Sequence, residues 1–196
     1  MKMNQTAIGA VISDDSLTLA IRRGDLIENP LTFPIVGALD AAALLLAQRR
    51  DQAPIFIEAG GLAALVLAEI KRRYSNSPDK IINGMEPARS VAGGNVEFFN
   101  RRSELHFLFR QSLAEGKILM PAIYNEQVAS FAPEERNGKI FYPSPEEVAD
   151  KLGKQPVFAM VAVLAAIETP DRFEGPVLRA VHPGHDPYAM FEEKKK

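Results

Sequence analysis

The sequence contains no cysteine in its 196 residues, which excludes disulfide scaffolds, zinc ribbons, iron–sulfur sites and thiol nucleophiles. An excess of positive charge is missing too, because 23 Lys and Arg residues are balanced by 25 Asp and Glu residues, leaving a net charge of -2. A protein that coats nucleic acid needs a strongly cationic surface. Any contact with DNA therefore has to come from a local patch.

Long apolar runs are also missing. No stretch reaches the roughly 18 residues that a membrane span requires. The first residues, MKMNQ, lack the apolar core of a secretory signal. We therefore expect a cytoplasmic protein that has no membrane partner.

Length and hydrophobic content together predict one domain. With 46% hydrophobic residues, the chain can bury one sizeable core but not two ordinary ones. Four prolines after residue 169 and the charged end EEKKK indicate an irregular tail. The predicted division is a domain at 1–168 and a tail at 169–196, and the tail carries His182 and His185.

The first half of the chain predicts the element order βββαβαβ. Short apolar runs at 7–13 and 17–23, separated by Asp14 and Asp15, are typical of a β-hairpin. The run at 31–36 contains a proline and therefore fits an edge strand. The elements that follow are predicted as a helix at 38–51, a buried parallel strand at 54–58, a helix after 60–61 and a strand at 81–82.

The second half predicts three helices and two short strands. The clearest helix covers 100–115, where an apolar stripe from Leu105 to Leu113 leaves Arg101, Arg102 and Glu104 off the stripe. Ser144, a following proline and two acidic residues predict a helix through residue 152. The remaining predictions are a buried helix rather than a strand at 156–167, and strands at 117–120 and 139–142.

Four segments carry a resemblance to a known family. NRRSE at 100–104, an amphipathic helix and GKILMP at 116–121 resemble the NRRAE…GxIxLP block in the C-terminal nuclease domain of the tailed-phage terminase large subunit. Segments 8–11, 55–61 and 151–156 resemble further parts of that domain in the same order. The resemblance implies an α/β, ribonuclease-H-like fold with a mixed sheet flanked by helices.

The resemblance also implies a chemistry. The family cleaves DNA with two divalent ions, Mg²⁺ or Mn²⁺, held by three acidic positions. Glu58 occupies the second position, whereas Val11 and Met160 stand where the first and third are expected. Neither valine nor methionine supplies the oxygen ligand that a hard cation prefers. Cleavage is therefore expected to be lost or severely reduced, with Glu58 and, more weakly, Asp14 and Asp15 as metal-ligating candidates.

Structural roles remain open for these residues. Glu58 could be a strand-end carboxylate that accepts hydrogen bonds from the amides of residues 60 and 61, and Asp14 and Asp15 could be turn residues. His106 is expected to be a partly buried structural histidine. His182 and His185 could form a weak metal site or lie in a solvated loop.

A patch of basic residues could track DNA phosphates. Its predicted members are Arg101, Arg102, Lys139, Lys151 and Lys154. The two arginines work against the dipole at a helix start, so each needs a nearby anion, and Glu104 is as good a partner as a phosphate.

Three functions follow from these alternatives. The favoured one is a catalytically impaired domain that holds double-stranded DNA weakly or docks on the terminase ATPase domain or the portal. The second is a working endonuclease with a displaced ligand set built on Glu58, Asp14 or Asp15 and a further carboxylate outside the four resembling positions. The third is a protein-interaction module whose acidic site has been filled with apolar side chains. Three carboxylates clustered around Glu58 would favour the enzyme, and a dry apolar cluster would favour the interaction module.

Overall fold

The computed structural model describes residues 6–50, 52–89, 91–92 and 96–167. The strands in this part of the chain are β1 Thr6–Ile12, β2 Ser16–Arg23, β3 Leu26–Ile27, β4 Leu31–Pro34, β5 Ile55–Glu58, β6 Lys80–Ile82, β7 Val91–Ala92, β8 Val96–Phe98, β9 Glu134–Arg136 and β10 Lys139–Phe141. The helices are α1 Ala38–Gln48, α2 Ala63–Arg73, α3 Arg101–Ala114, α4 Asn125–Ser130, α5 Pro145–Leu152 and α6 Val157–Ala165, with a 3₁₀ turn at Ala122–Tyr124.

The main sheet is mixed and has the order β3-β2-β1-β5-β6, with β4 also paired to β2. β1 runs antiparallel to β2 and parallel to β5, and β5 runs parallel to β6. The predicted α/β architecture and its opening βββαβαβ order are confirmed, with β3 as an additional two-residue strand. Among the described residues β4 pairs with β2 and no other strand, so Pro34 lies on an edge strand as expected.

Helices cover both faces of this sheet. Alternate residues of β1 point to opposite faces, so Ile8 and Ala10 pack with α1 and α2 while Ala7 packs on the side of α3 and α6. The same alternation in β5 places Phe56 with α3 and α6. Glu58, two residues later, therefore belongs to the face that α3 and α6 cover.

Gly9 fixes the position of α6 on that face. A Cβ atom at Gly9 would lie 2.2 Å from the carbonyl oxygen of Val161 and 2.5 Å from the amide nitrogen of Ala165. The helix backbone therefore packs directly on β1, and only glycine leaves room for it. Arg22, which pairs with the start of β1, donates to the carbonyl of Ala166 at 3.1 Å. The first turn of α6 therefore lies over the opposite end of β1, where β5 ends in Glu58.

A second sheet has the order β7-β8-β10-β9. β9 and β10 form a hairpin whose turn residues Asn137 and Gly138 have φ of 53° and 74°, as a type I′ turn requires. The next helix, α5, begins with the predicted cap. Ser144 accepts from the amide of Glu147, and the carboxylate of Glu147 accepts from the amide of Ser144.

One predicted element is wrong. Residues 117–120 form no strand, and only Leu119 makes an isolated bridge, to Leu26. The amides of Lys117 and Ile118 instead bind the carbonyl of Ser112, so this segment wraps around the end of α3. The predicted tail at 169–196, including His182 and His185, lies outside the described residues. No helix in the described part of the chain is long and apolar enough to span a membrane.

Candidate functional site

A cleft opens at the end of β5, beside Glu58. Its walls come from four regions: Ile82 at the end of β6 with Gly84 after it, Arg102, Leu105 and His106 on α3, Pro145 at the start of α5, and Met160, Val163 and Leu164 on α6. It is shallow, with a cavity volume of about 20 Å³, room for about one water molecule. The cleft thus lies where the first turns of α3 and α5 meet the sheet.

The structure brings together the three positions that the resemblance singled out. Met160 lines the same cleft as Glu58. β1 and β5 are paired through Ala10 and Ile57, so one further step of the register places Val11 beside Glu58. Val11 and Met160 both pack against the apolar core on this face. The site therefore combines one carboxyl with two apolar side chains.

Glu58 is a partly buried carboxyl that accepts no hydrogen bond from the described residues. The alternative in which the amides of residues 60 and 61 donate to this carboxylate is not observed within the described residues. Burial is the main cause that raises the pKa of Glu58 to about 7, with a smaller contribution from Glu146. The positive charge of Arg102 opposes this rise.

Arg101 does not belong to an exposed basic patch. It is 3% exposed, and its Nη1 lies 2.5 Å from Oε2 of Glu104, which is fully buried. The same carboxylate oxygen accepts from the amide of Arg89 at 2.9 Å. Of the two partners that the sequence leaves open for Arg101, the structure shows Glu104.

Arg102, the next residue, has a different environment. Its amide donates to the carbonyl of Gly84 at 2.9 Å, and a Cβ atom at Gly84 would lie 3.2 Å from Nε of Arg102. The side chain thus lies along Gly84 and lines the cleft. Among the described residues it forms no hydrogen bond or ion pair, although it is close enough to affect the pKa of Glu58, His106 and Glu146.

The three predicted lysines lie at the surface, away from the lining of the cleft. Lys139 pairs with Glu97 at 2.8 Å, and Lys154 pairs with Glu126 at 2.5 Å. Lys151 is exposed on α5. Exposed pairs of this kind contribute on the order of 0.5 kcal/mol, so they do not prevent a lysine from turning to another anion.

Asp14 and Asp15 are exposed in the turn between β1 and β2, and neither lines the cleft. The backbone carbonyl of Asp15 accepts from the amide of Ile35 at 2.9 Å, which connects this turn to the end of β4. Their carboxylates are therefore not brought to Glu58, and the geometry matches their alternative as turn residues.

His106 is buried between two aromatic rings. Its ring centroid lies 4.3 Å from that of Phe131 and 5.4 Å from that of Tyr142. Burial, reinforced by Arg102 and Arg110, lowers the pKa of His106 to about 3. The ring is therefore neutral at physiological pH and forms part of the apolar floor of the cleft.

The residues at the cleft do not fit a pair of divalent ions. Such a pair needs several carboxylates to neutralise it and bridge it. Within the described ranges, no group of three or more His, Asp or Glu side chains is placed to hold a metal ion. Near Glu58 lie the guanidinium of Arg102 and one further carboxyl, that of Glu146, which is fewer carboxyls than a pair of ions needs.

Solved structures with the same architecture are nuclease domains of phage terminases. A point mutant of the nuclease domain of the large terminase subunit gp2 of bacterial virus Sf6, with manganese and beta-thujaplicinol, has a TM-score of 0.66 at 16% identity and covers 84% of this chain and 89% of its own. The same domain with calcium gives 0.63 at 15% identity, covering 81% and 87%. The large terminase nuclease from thermophilic phage G20c with bound cobalt gives 0.56 at 12% identity, covering 82% and 79%.

This chain has the fold of the terminase nuclease domains. The resemblance found in residues 100–104 and 116–121 is thus confirmed at the level of the fold. No protein-family model and no curated protein matches the sequence. Identities of 12% to 16% carry the fold and nothing finer, so the function has to be argued from the site.

Two features of the site were not predicted from the sequence. The first is the packing of Gly9 against α6, which brings Met160 to Glu58. The run of small residues around Gly9 in β1 was the available signal. The second is the difference in environment between the buried Arg101 and Arg102, which lines the cleft. It had no signal in the sequence, because helical spacing alone does not tell which of two adjacent arginines is buried.

Proposed function

We propose that this chain is a terminase-like nuclease domain of phage DNA packaging that has lost metal-dependent cleavage and still holds DNA or docks on the packaging machinery. The observation that supports this proposal most is the convergence of Val11, Glu58 and Met160 in a fold whose solved examples include terminase nuclease domains. Two of the three converging side chains lack the oxygen atoms that a divalent cation requires. The proposed place of action is the host cytoplasm, with the ATPase domain or the portal as partners.

Loss of the metal ligands should abolish cleavage because the attacking water is no longer activated. Two-metal hydrolysis needs one ion to activate a water and both ions to stabilise the charge on the phosphodiester. The carboxyls of Glu58 and Glu146 beside Arg102 offer no comparable ligand set. Filling the vacated positions with Val11 and Met160 also avoids the cost of burying clustered carboxylates that have no metal to neutralise them.

The alternative of a working nuclease with a displaced ligand set has little support. Its proposed ligands, Asp14 and Asp15, are exposed in a turn and do not line the cleft. The alternative of a pure interaction module shares the apolar site with the favoured function. It gives no role to the cationic side chain of Arg102 in the cleft.

Two assays on the same preparation test the proposed function. In the first, supercoiled plasmid is incubated with Mg²⁺ or Mn²⁺, and we expect no nicking above the buffer control. In the second, duplex DNA binding is measured against salt, and we expect weak, sequence-independent binding that falls steeply with salt. Metal-dependent nicking that Glu58→Gln abolishes would contradict the loss of cleavage.

A further inference from the structure

We propose that the guanidinium of Arg102 binds one phosphate of the DNA backbone at the mouth of the cleft beside Glu58. This inference rests on the proposed DNA-holding function and assigns it to one residue. In an active two-metal site, divalent cations meet the phosphodiester. Here an arginine side chain supplies the positive charge in the equivalent cleft.

The first observation is that Arg102 is held in place through its backbone. Its amide is bonded to Gly84, and the amide of Arg101 is bonded to the carbonyl of Glu86 at 2.7 Å. The buried pair of Arg101 with Glu104 anchors the same helical turn. The start of α3 is therefore a rigid platform, and Arg102 extends from it into the cleft.

The second observation is that its donors are not used by this part of the protein. The guanidinium of Arg102 forms no hydrogen bond or ion pair with the described residues, and Glu58 and Glu146 act on it only at longer range. A guanidinium presents five N–H donors in a planar fork that matches two phosphate oxygens. An arginine lining a cleft with its donors unused is therefore suited to an incoming phosphate.

The helix start itself is not the ligand site. The amides of Arg101 and Arg102 are bonded to the 84–86 segment, and the amide of Ser103 is bonded to the side chain of Asn100. These first-turn groups have no donor left for an anion. The phosphate contact therefore has to be made by the side chain of Arg102.

The guanidinium also explains binding without cleavage. It supplies positive charge and hydrogen-bond donors, but it does not activate a water as a bound metal ion does. The two acidic residues nearby, Glu58 and Glu146, oppose the approach of DNA. The expected contact is consequently weak and needs no divalent ion.

The test compares three variants of the full chain with the parent. Binding of a short fluorescein-labelled DNA duplex is measured by anisotropy over a series of salt concentrations in EDTA. Arg102→Met keeps the length of the side chain, Arg102→Lys keeps the charge without the fork, and Arg72→Met removes one exposed arginine from α2 on the other face of the sheet.

We expect Arg102→Met to bind about tenfold more weakly, as loss of a charge-assisted hydrogen bond predicts. The slope of log K against log salt should flatten by about 1, since one phosphate contact is lost. Arg102→Lys should be intermediate, and Arg72→Met should match the parent. Circular dichroism and thermal melts check that each variant is folded, and Arg102→Gln replaces any variant that is not.

A second readout separates binding from a structural role. In a ¹H–¹⁵N NMR titration of the parent, the Nε–H resonance of Arg102 should shift on addition of DNA. If the parent binds DNA in EDTA but Arg102→Met binds equally well and the resonance does not move, this inference is overturned and DNA holding stands. If binding requires Mn²⁺, a metal site and not the guanidinium carries it. If the parent binds no DNA, the DNA-holding function fails together with the inference.

Discussion

Replacement of Glu58 by glutamine gives a stability effect whose dependence on pH can be worked out from the structure. Burial raises the pKa of Glu58 from 4.5 to about 7, so the native state binds this proton more tightly than the unfolded chain does. The group's stabilising contribution is therefore fully present below pH 4.5 and is lost as the pH rises to about 7. At about 1.4 kcal/mol per pH unit, the complete loss is at most about 3 kcal/mol.

Glu58→Gln cannot ionise and should escape this loss. The difference in unfolding free energy between variant and parent should therefore grow in favour of the variant by about 2 to 3 kcal/mol between about pH 4 and about pH 8. Urea denaturation at a series of pH values measures this difference, and other titrating groups cancel in it. Glu97→Gln is the matched control, because the Lys139 pair lowers the pKa of that exposed carboxyl. If the difference in unfolding free energy between Glu58→Gln and the parent does not change over this pH range, the inference that burial raises the pKa of Glu58 is refuted.

Two further substitutions test the packing that builds the site. Arg101→Ala should destabilise the fold by about 3 to 5 kcal/mol in urea denaturation, because it leaves the buried Glu104 carboxylate without its arginine partner. The control Lys154→Ala, at an exposed pair, should cost less than about 1 kcal/mol. Equal losses of stability in the two variants would contradict the buried pair. Gly9→Ala should cost at least about 3 kcal/mol or prevent folding, because the added methyl group overlaps the backbone of α6. A thermal melt within about 2 °C of the parent would show that α6 does not pack directly on β1.

Local rules predicted much of the architecture. The opening hairpin, the edge strand β4 and the capped helix α5 each follow from neighbouring residues, such as Ser144 with Glu147. Segment 117–120 was mispredicted because its apolar residues match a strand pattern, whereas its amides bind the end of α3 through Ser112. Hydropathy alone does not reveal a hydrogen bond of that kind.

The candidate site was predictable in part. The resemblance selected Val11, Glu58 and Met160, and the structure brings these positions together. Hydropathy placed Arg101 and Arg102 on the same solvent face, because charged residues are scored as exposed. Arg101 is instead buried with an opposite charge three residues later, and that compensation depends on tertiary contacts. The metal-binding and DNA-binding roles of the predicted residues stay predictions.

In the proposed function, Val11 and Met160 occupy vacated metal-ligand positions beside Glu58. The double variant Val11→Asp with Met160→Asp restores carboxyls at both positions and should be less stable than the parent without metal, because three carboxylates then repel one another.

The decisive measurement is the thermal stability of parent and double variant with and without millimolar Mn²⁺. A site saturated at 100 times its dissociation constant adds about 2.7 kcal/mol. We expect Mn²⁺ to raise the melting temperature of the double variant in a saturable way and to leave that of the parent unchanged. A folded double variant that shows no response to Mn²⁺, or a parent that shows a saturable one, would contradict this expectation.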